Sequence, residues 1–183
     1  MYWFIALFDS KTENVIKKLE DDIRHYLIPF HSEKIKNGRP HLTLGHYYEL
    51  DKEEYIRLIE AFYEPIACFD ITFNTIGSFL NYSTLFLSPT ITKELIDFHS
   101  NHYYFFDKFN GKANSLYLPD QWTPHCTIVN RLAPEKLTEA FNYSINNFQP
   151  LRGSVEYVAL VEMIGDYNQN FETEIVFSKS LKK

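Results

Sequence analysis

Two short runs of this chain nearly repeat each other: Pro40-His41-Leu42-Thr43-Leu44 and Pro124-His125-Cys126-Thr127-Ile128. The lag from His41 to His125 is 84 residues, and Thr43 to Thr127 keeps it. Ile71 to Val155 and Phe73 to Tyr157 keep it as well, with the same inward parity expected. A stacked solenoid needs three or more copies of a shorter unit. Two long copies argue instead for two pseudo-symmetric lobes in a single bilobal domain, with approximate repeats over residues 1–80 and 81–183. The repeat is one of architecture and motif, since general identity between the halves is low.

Hydrophobic patterning fills in the elements around the motifs. Residues 2–8 read as a buried strand. Ser10-Lys11-Thr12-Glu13 has the form of a capping box, followed by a helical stripe of Val15, Ile16, Leu19, Ile23, Tyr26 and Leu27 that ends near Pro29. After the first motif, Asp51 caps a helix with Tyr55, Ile56, Ile59, Phe62 and Tyr63 on one stripe. Residues 69–75 then alternate as a half-buried strand. The second half follows the same order: a strand at Leu85–Leu87, a helix with Leu95 and Phe98, and the second motif. Pro134 then opens a helix carrying Leu137, Ala140, Phe141 and Ile145. Strands with Val155, Tyr157, Ala159 and Val161 and over residues 172–179 close the chain.

Composition narrows the partners. Hydrophobic residues make up 45%, including 16 Phe and 13 Tyr, enough for a substantial core. The net charge of -6 offers no global attraction to duplex nucleic acid, so duplex DNA is not an expected partner and any contact with a polynucleotide must be local. Two cysteines, Cys68 and Cys126, are too few for a disulfide framework. The opening residues lack the basic region and length of a secretory leader, and no apolar run reaches the roughly 18–20 residues needed to span a bilayer. A soluble, cytoplasmic monomer without a membrane contact is expected.

Within a strand, residues i and i+2 project on one face, so His41 points with Thr43 and His125 with Thr127. Four such side chains from facing lobes converge on one anion. Phosphoryl transfer needs a base for the attacking oxygen and an acid for the leaving one. Histidine, with a pKa of about 6.5, serves either role at neutral pH. Threonine hydroxyls donate to the equatorial oxygens where transition-state charge collects. This set is sufficient without a metal or cofactor. One Pro-His-x-Thr arises by chance in roughly one chain in a hundred of this length, and two at equivalent places of a repeat are far rarer.

The paired motifs His41-Leu42-Thr43-Leu44 and His125-Cys126-Thr127-Ile128 resemble those of the two-histidine (2H) phosphoesterase superfamily. That group includes bacterial 2′-5′ RNA ligase-like proteins and cyclic nucleotide phosphodiesterases. The resemblance extends to the opening strand Phe4-Ile5-Ala6-Leu7, to Ile76-Gly77-Ser78-Phe79 and to Tyr157-Val158-Ala159-Leu160-Val161. It implies an α+β fold of two lobes, each a mostly antiparallel sheet with flanking helices, around a central cleft. It also implies a metal-independent enzyme acting on a cyclic phosphodiester or a 2′-5′ linkage of a nucleotide or RNA end. Many relatives place an arginine five residues after the second histidine. Here that place holds Asn130, and Arg131, of the same parity as His125 and Thr127, is the candidate phosphate ligand instead.

Other residues carry weaker signals. Trp122, Tyr47 and Tyr117 lie near the motifs and are candidates to stack on a base, with the core as the alternative home. Lys34, Lys36 and Arg39 form a basic approach to the first motif, either a solvated loop or a phosphate contact. His46, five residues after His41, is assigned to the opposite strand face. His25, His31, His99 and His102 show no zinc-ligand spacing, so no metal site is expected. Cys126 points away from its neighbours His125 and Thr127 and is not a nucleophile. A binding module that holds a nucleotide or RNA end without turning it over is the alternative function. A purely structural domain, with the histidines satisfied in the fold, is a third.

Overall fold

The structure, a computed structural model, describes residues 1–27, 38–165 and 171–183. In chain order the elements are β1 (Tyr2–Phe8), α1 (Ser10–Leu27), β2 (His41–Tyr47), α2 (Lys52–Tyr63), β3 (Phe69–Phe79), β4 (Thr84–Pro89) and α3 (Lys93–Phe105). Two 3-10 turns, Asp107–Lys112 and Ser115–Tyr117, precede β5 (Cys126–Val129), α4 (Pro134–Asn147), β6 (Leu151–Gly165) and β7 (Phe171–Ser180). The fold is α+β, and every pairing between named strands is antiparallel.

Strand order runs β2-β1-β6-β3-β4-β5, with β7 also on β6. The long β6 organises the sheet. Val155 pairs with Phe8 of β1 on one edge and with Phe69 of β3 on the other. Farther along, β6 keeps β1 on the first edge while β7 takes over the second. A strand late in the chain therefore lies between two early ones. The motif strands β2 and β5 stand at opposite ends of this order, yet they contact each other, so the sheet curls until its two ends meet.

One face of the sheet carries the main core. Phe4, Ala6 and Phe8 of β1, Leu42 and Leu44 of β2, Leu85 and Leu87 of β4, and Cys126 and Ile128 of β5 pack in one cluster. The buried stripes of α1 (Ile16, Leu19, Ile23) and α2 (Tyr55, Ile59, Tyr63) join the same cluster. The other face has a smaller apolar patch, Ile5, Leu7, Ala159 and Val161, with Trp3 and Tyr157 against it. Among the described residues no helix is long and apolar enough to cross a membrane.

Several local expectations change. The α1 cap is Asp9, one residue before the expected Ser10: its carboxylate accepts from the Thr12 amide at 2.9 Å and the Thr12 hydroxyl at 2.7 Å. Glu13 turns instead to Arg39. Asp51 does cap α2, accepting from the Glu54 amide at 3.0 Å. In β6 the register slips at Glu156, so Val155 joins the main core while Tyr157 packs on the other face. The Phe73/Tyr157 pair therefore keeps the 84-residue lag but not the parity, because a bulge inverts facing. Lys34, Lys36 and His31 lie outside the described residues.

Candidate active site

Pairing places the first motif on the face away from the main core. Leu7 pairs with His41 and Ile5 with Thr43, so these side chains share a face with Trp3, Ile5 and Leu7. His41 and Thr43 are partly exposed while Leu42 and Leu44 are buried beneath them. The second motif has the same alternation: His125 and Thr127 partly exposed, Cys126 and Ile128 buried. Thr127 pairs with Phe86, whose ring lies over Gly77 so closely that a Cβ there would meet it at 2.6 Å. Phe79 and Phe86 in turn flank the His125 ring at 4.7 and 5.5 Å between centroids.

Each histidine is held in the same way. Nδ1 of His41 is 2.6 Å from the Arg39 carbonyl, and Nδ1 of His125 is 2.7 Å from the Thr123 carbonyl. A carbonyl only accepts, so Nδ1 carries the proton in both, and Nε2 is left as the nitrogen able to take up a second proton. Burial pushes both pKa values below the ordinary imidazole value, and the His125 charge lowers His41 further. Burial drives the Cys126 thiol well up, and it lies against the His41 backbone rather than towards the face that bears the histidines.

The remaining candidates divide. Arg39 is committed to α1: its Nε and Nη2 donate to both Glu13 oxygens at 2.6–3.1 Å. Its carbonyl, not its guanidinium, serves the site. Tyr47 is fully buried with its hydroxyl on His102, so it offers no face to a base. Trp122 has one face covered by the His99 ring, 3.9 Å away and parallel within 3°, and its N–H donates to the Thr43 carbonyl at 2.9 Å. Tyr117 is half-buried near His46. Arg131 is exposed but does not continue the strand alternation, because β5 ends at Val129 and Arg131 adopts φ 57°. The parity that linked it to His125 therefore fails. Asn130 accepts from Thr84 Oγ1 at 3.1 Å.

His46 overturns its assigned face. The β1–β2 register slips between Phe4 and Ile5, bulging Leu44, so His46 pairs with Trp3 and shares the face of His41 and Thr43. Trp3 lies 6.3 Å from the His41 ring and 6.4 Å from the His46 ring. Asn114 fixes the tautomer: its Oδ1 takes the Leu116 amide, so its Nδ2 donates to His46 Nδ1 at 3.3 Å. The buried Nε2–H of His46 has no partner among the described residues. Sequence reasoning put His46 on the wrong face and did not single out Trp3. Alternation along β1 signals Trp3, whereas nothing in the sequence signals the bulge. No group of three or more His, Cys, Asp or Glu side chains is placed to hold a metal among the described residues.

Comparison with known proteins agrees with this architecture. TT0787 of Thermus thermophilus superposes with a TM-score of 0.64 at 18% identity, covering 98% of this chain and 97% of that one. E. coli LigT complexed with 3′-AMP gives 0.61 at 14% identity, covering 100% and 97%. The LigT complex with ATP gives 0.58 at 15% identity with the same coverage. No curated protein matches the sequence. The family model of the 2′-5′ RNA ligase superfamily matches residues 9–166, most of the length, and the chain belongs to that superfamily.

Proposed function

We propose that the protein is a metal-independent phosphoesterase acting on a cyclic phosphodiester or 2′-5′ linkage of a nucleotide or RNA end. The observation that carries this reading is the matched pair of imidazoles, each with Nδ1–H tied to the carbonyl two residues before it and Nε2 left for proton transfer. In hydrolysis of a cyclic phosphate, one neutral Nε2 takes a proton from water as its oxygen bonds to phosphorus. The other, protonated, Nε2 gives its proton to the ribose oxygen as that P–O bond breaks. Thr43 and Thr127 donate to the equatorial oxygens. With a hydroxyl of a second RNA end in place of water, the same steps open the cyclic phosphate and join two ends. The family match supports this chemistry, and the complexes of E. coli LigT with 3′-AMP, ATP and NADP+ support a nucleotide as the substrate class.

The test is turnover of a panel of cyclic and 2′-5′-linked nucleotides, with products resolved by phosphorus NMR. Activity is expected to persist in excess chelator. His41→Ala and His125→Ala are each expected to remove most of it, and the double variant to be little worse than either, because acid and base serve one step. A folded single variant with near-wild-type kcat would sink the mechanism.

A further inference from the structure

Trp122 stands where the two motifs are joined. Its indole N–H donates to the Thr43 carbonyl at 2.9 Å, a direct tie to the first motif. The next residue, Thr123, supplies the carbonyl that holds His125 Nδ1–H at 2.7 Å. The tie to one motif and the tie to the other are thus on adjacent residues. The indole is itself clamped. His99 stacks flat on it, and His99 Nε2–H is shared between the carbonyls of Leu44, which follows Thr43, and Tyr117, at 3.1 and 2.9 Å. The Trp122 amide donates to the Leu118 carbonyl at 3.1 Å. His125, by contrast, precedes β5 and has no place in the strand ladder. Its position relative to His41 depends on the 122–124 segment that leads into it.

We infer that Trp122 is a positioning residue, whose N–H to Thr43 sets the placement of the His125 imidazole relative to the strand bearing His41 and Thr43. This rests on the two-histidine reading above and deepens it. A base-stacking residue and a positioning residue leave different kinetic marks. Loss of a stacking surface weakens substrate binding and raises KM. Loss of alignment between two proton-transfer groups leaves binding in place and lowers kcat, because a displacement of about 1 Å costs on the order of 100-fold in rate.

Two variants separate these. Trp122→Phe deletes the N–H and trims the ring. Incorporation of 3-benzothienylalanine at position 122 replaces the N–H with sulfur in a ring of the same shape, which guards against a folding defect. Both are expected to lower kcat about 10- to 100-fold with KM changed less than about 3-fold. In nitrogen-15 spectra of labelled histidine, the His125 Nδ1–H resonance is expected to shift or broaden while that of His41 stays in place. A raised KM with unchanged kcat would make Trp122 a substrate contact, and an unchanged kcat with an unchanged His125 resonance would remove it from the site; either overturns the inference. If the wild-type protein turns over nothing on the substrate panel, the proposed function fails separately, and the His125 resonance still decides the role of Trp122.

Discussion

The protons on Nδ1 of His41 and His125 are fixed by carbonyls, so pH acts on the two Nε2 positions alone. A proton on His125 disfavours one on His41. The productive state has one imidazole protonated and the other neutral, which confines activity to a band of pH. Burial lowers both below the usual value of about 6.5. The maximum of kcat/KM, which reports the free enzyme, is therefore expected on the acid side of that value, with the alkaline limb falling as the single proton is lost. A maximum well above pH 7 in a steady-state pH profile would contradict this placement. The threonines make a second residue-scale test. Thr43→Val or Thr127→Val keeps the shape and deletes one donor, and kcat is expected to fall about 100-fold, the order seen when one oxyanion donor is removed. Wild-type rates in both would mean the hydroxyls do not meet the substrate.

At the scale of elements, the approach of α1 to the sheet depends on one residue without a side chain. A Cβ at Gly153 would fall 1.7 Å from Thr12 Oγ1 and 2.6 Å from Asp9 Oδ2, inside the cap that starts the helix. Asp9 also accepts from the Ser154 amide at 2.8 Å, so one carboxylate ties α1 to β6. Burial opposes its ionisation, but the bonds from Thr12 and Ser154 outweigh it and hold its pKa below the usual carboxylate value. Gly153→Ala is expected to cost about 2–4 kcal/mol in urea unfolding, from overpacking and a lost cap together. A cost near zero would mean α1 has room to move away. The sequence made some of this legible and hid the rest for physical reasons. His41 with Thr43 could be read because a strand turns i and i+2 to one side without interruption there, and His125 with Thr127 because the same alternation of burial extends to the residue before β5. His46 and Tyr157 could not, since a bulge adds one residue and reverses every facing beyond it while leaving no mark on composition. Arg131 was beyond reach for the opposite reason: the strand on which its parity depended stops short of it. Tyr47 lies close in sequence to a site residue but belongs to the core.

At the scale of the whole molecule, the main core encloses a fully buried histidine. His102 stacks between Phe4 and Phe106, each at 4.4 Å, and meets the hydroxyls of Tyr47, Tyr55 and Tyr63 at 2.9–3.1 Å. Burial holds its pKa well below the ordinary value, and burial sets His99 at about 4. A group whose pKa is depressed in the fold stays neutral there while the unfolded chain takes up the proton. Stability is therefore complete above about pH 6.5 and is lost as pH falls below it, at about 1.4 kcal/mol per pH unit for each such histidine. Urea unfolding between pH 7 and 5 measures the slope. His102→Gln is expected to be less stable at pH 7 yet to lose less on acidification, and an equal slope in both proteins would show that His102 is not among the responsible groups.

The position of β6 bears on how the chain comes to be folded at all. β1 is made well before β6, its partner on one edge. β3 waits for the same strand. While the chain emerges from a ribosome, β1 and β3 each have one edge of backbone amides and carbonyls with no permanent partner until residues 151–165 arrive. Early material must be shielded rather than finished, and closure is a single late event that joins distant parts of the chain, the kind of topology that folds slowly and is exposed to mispairing on the way.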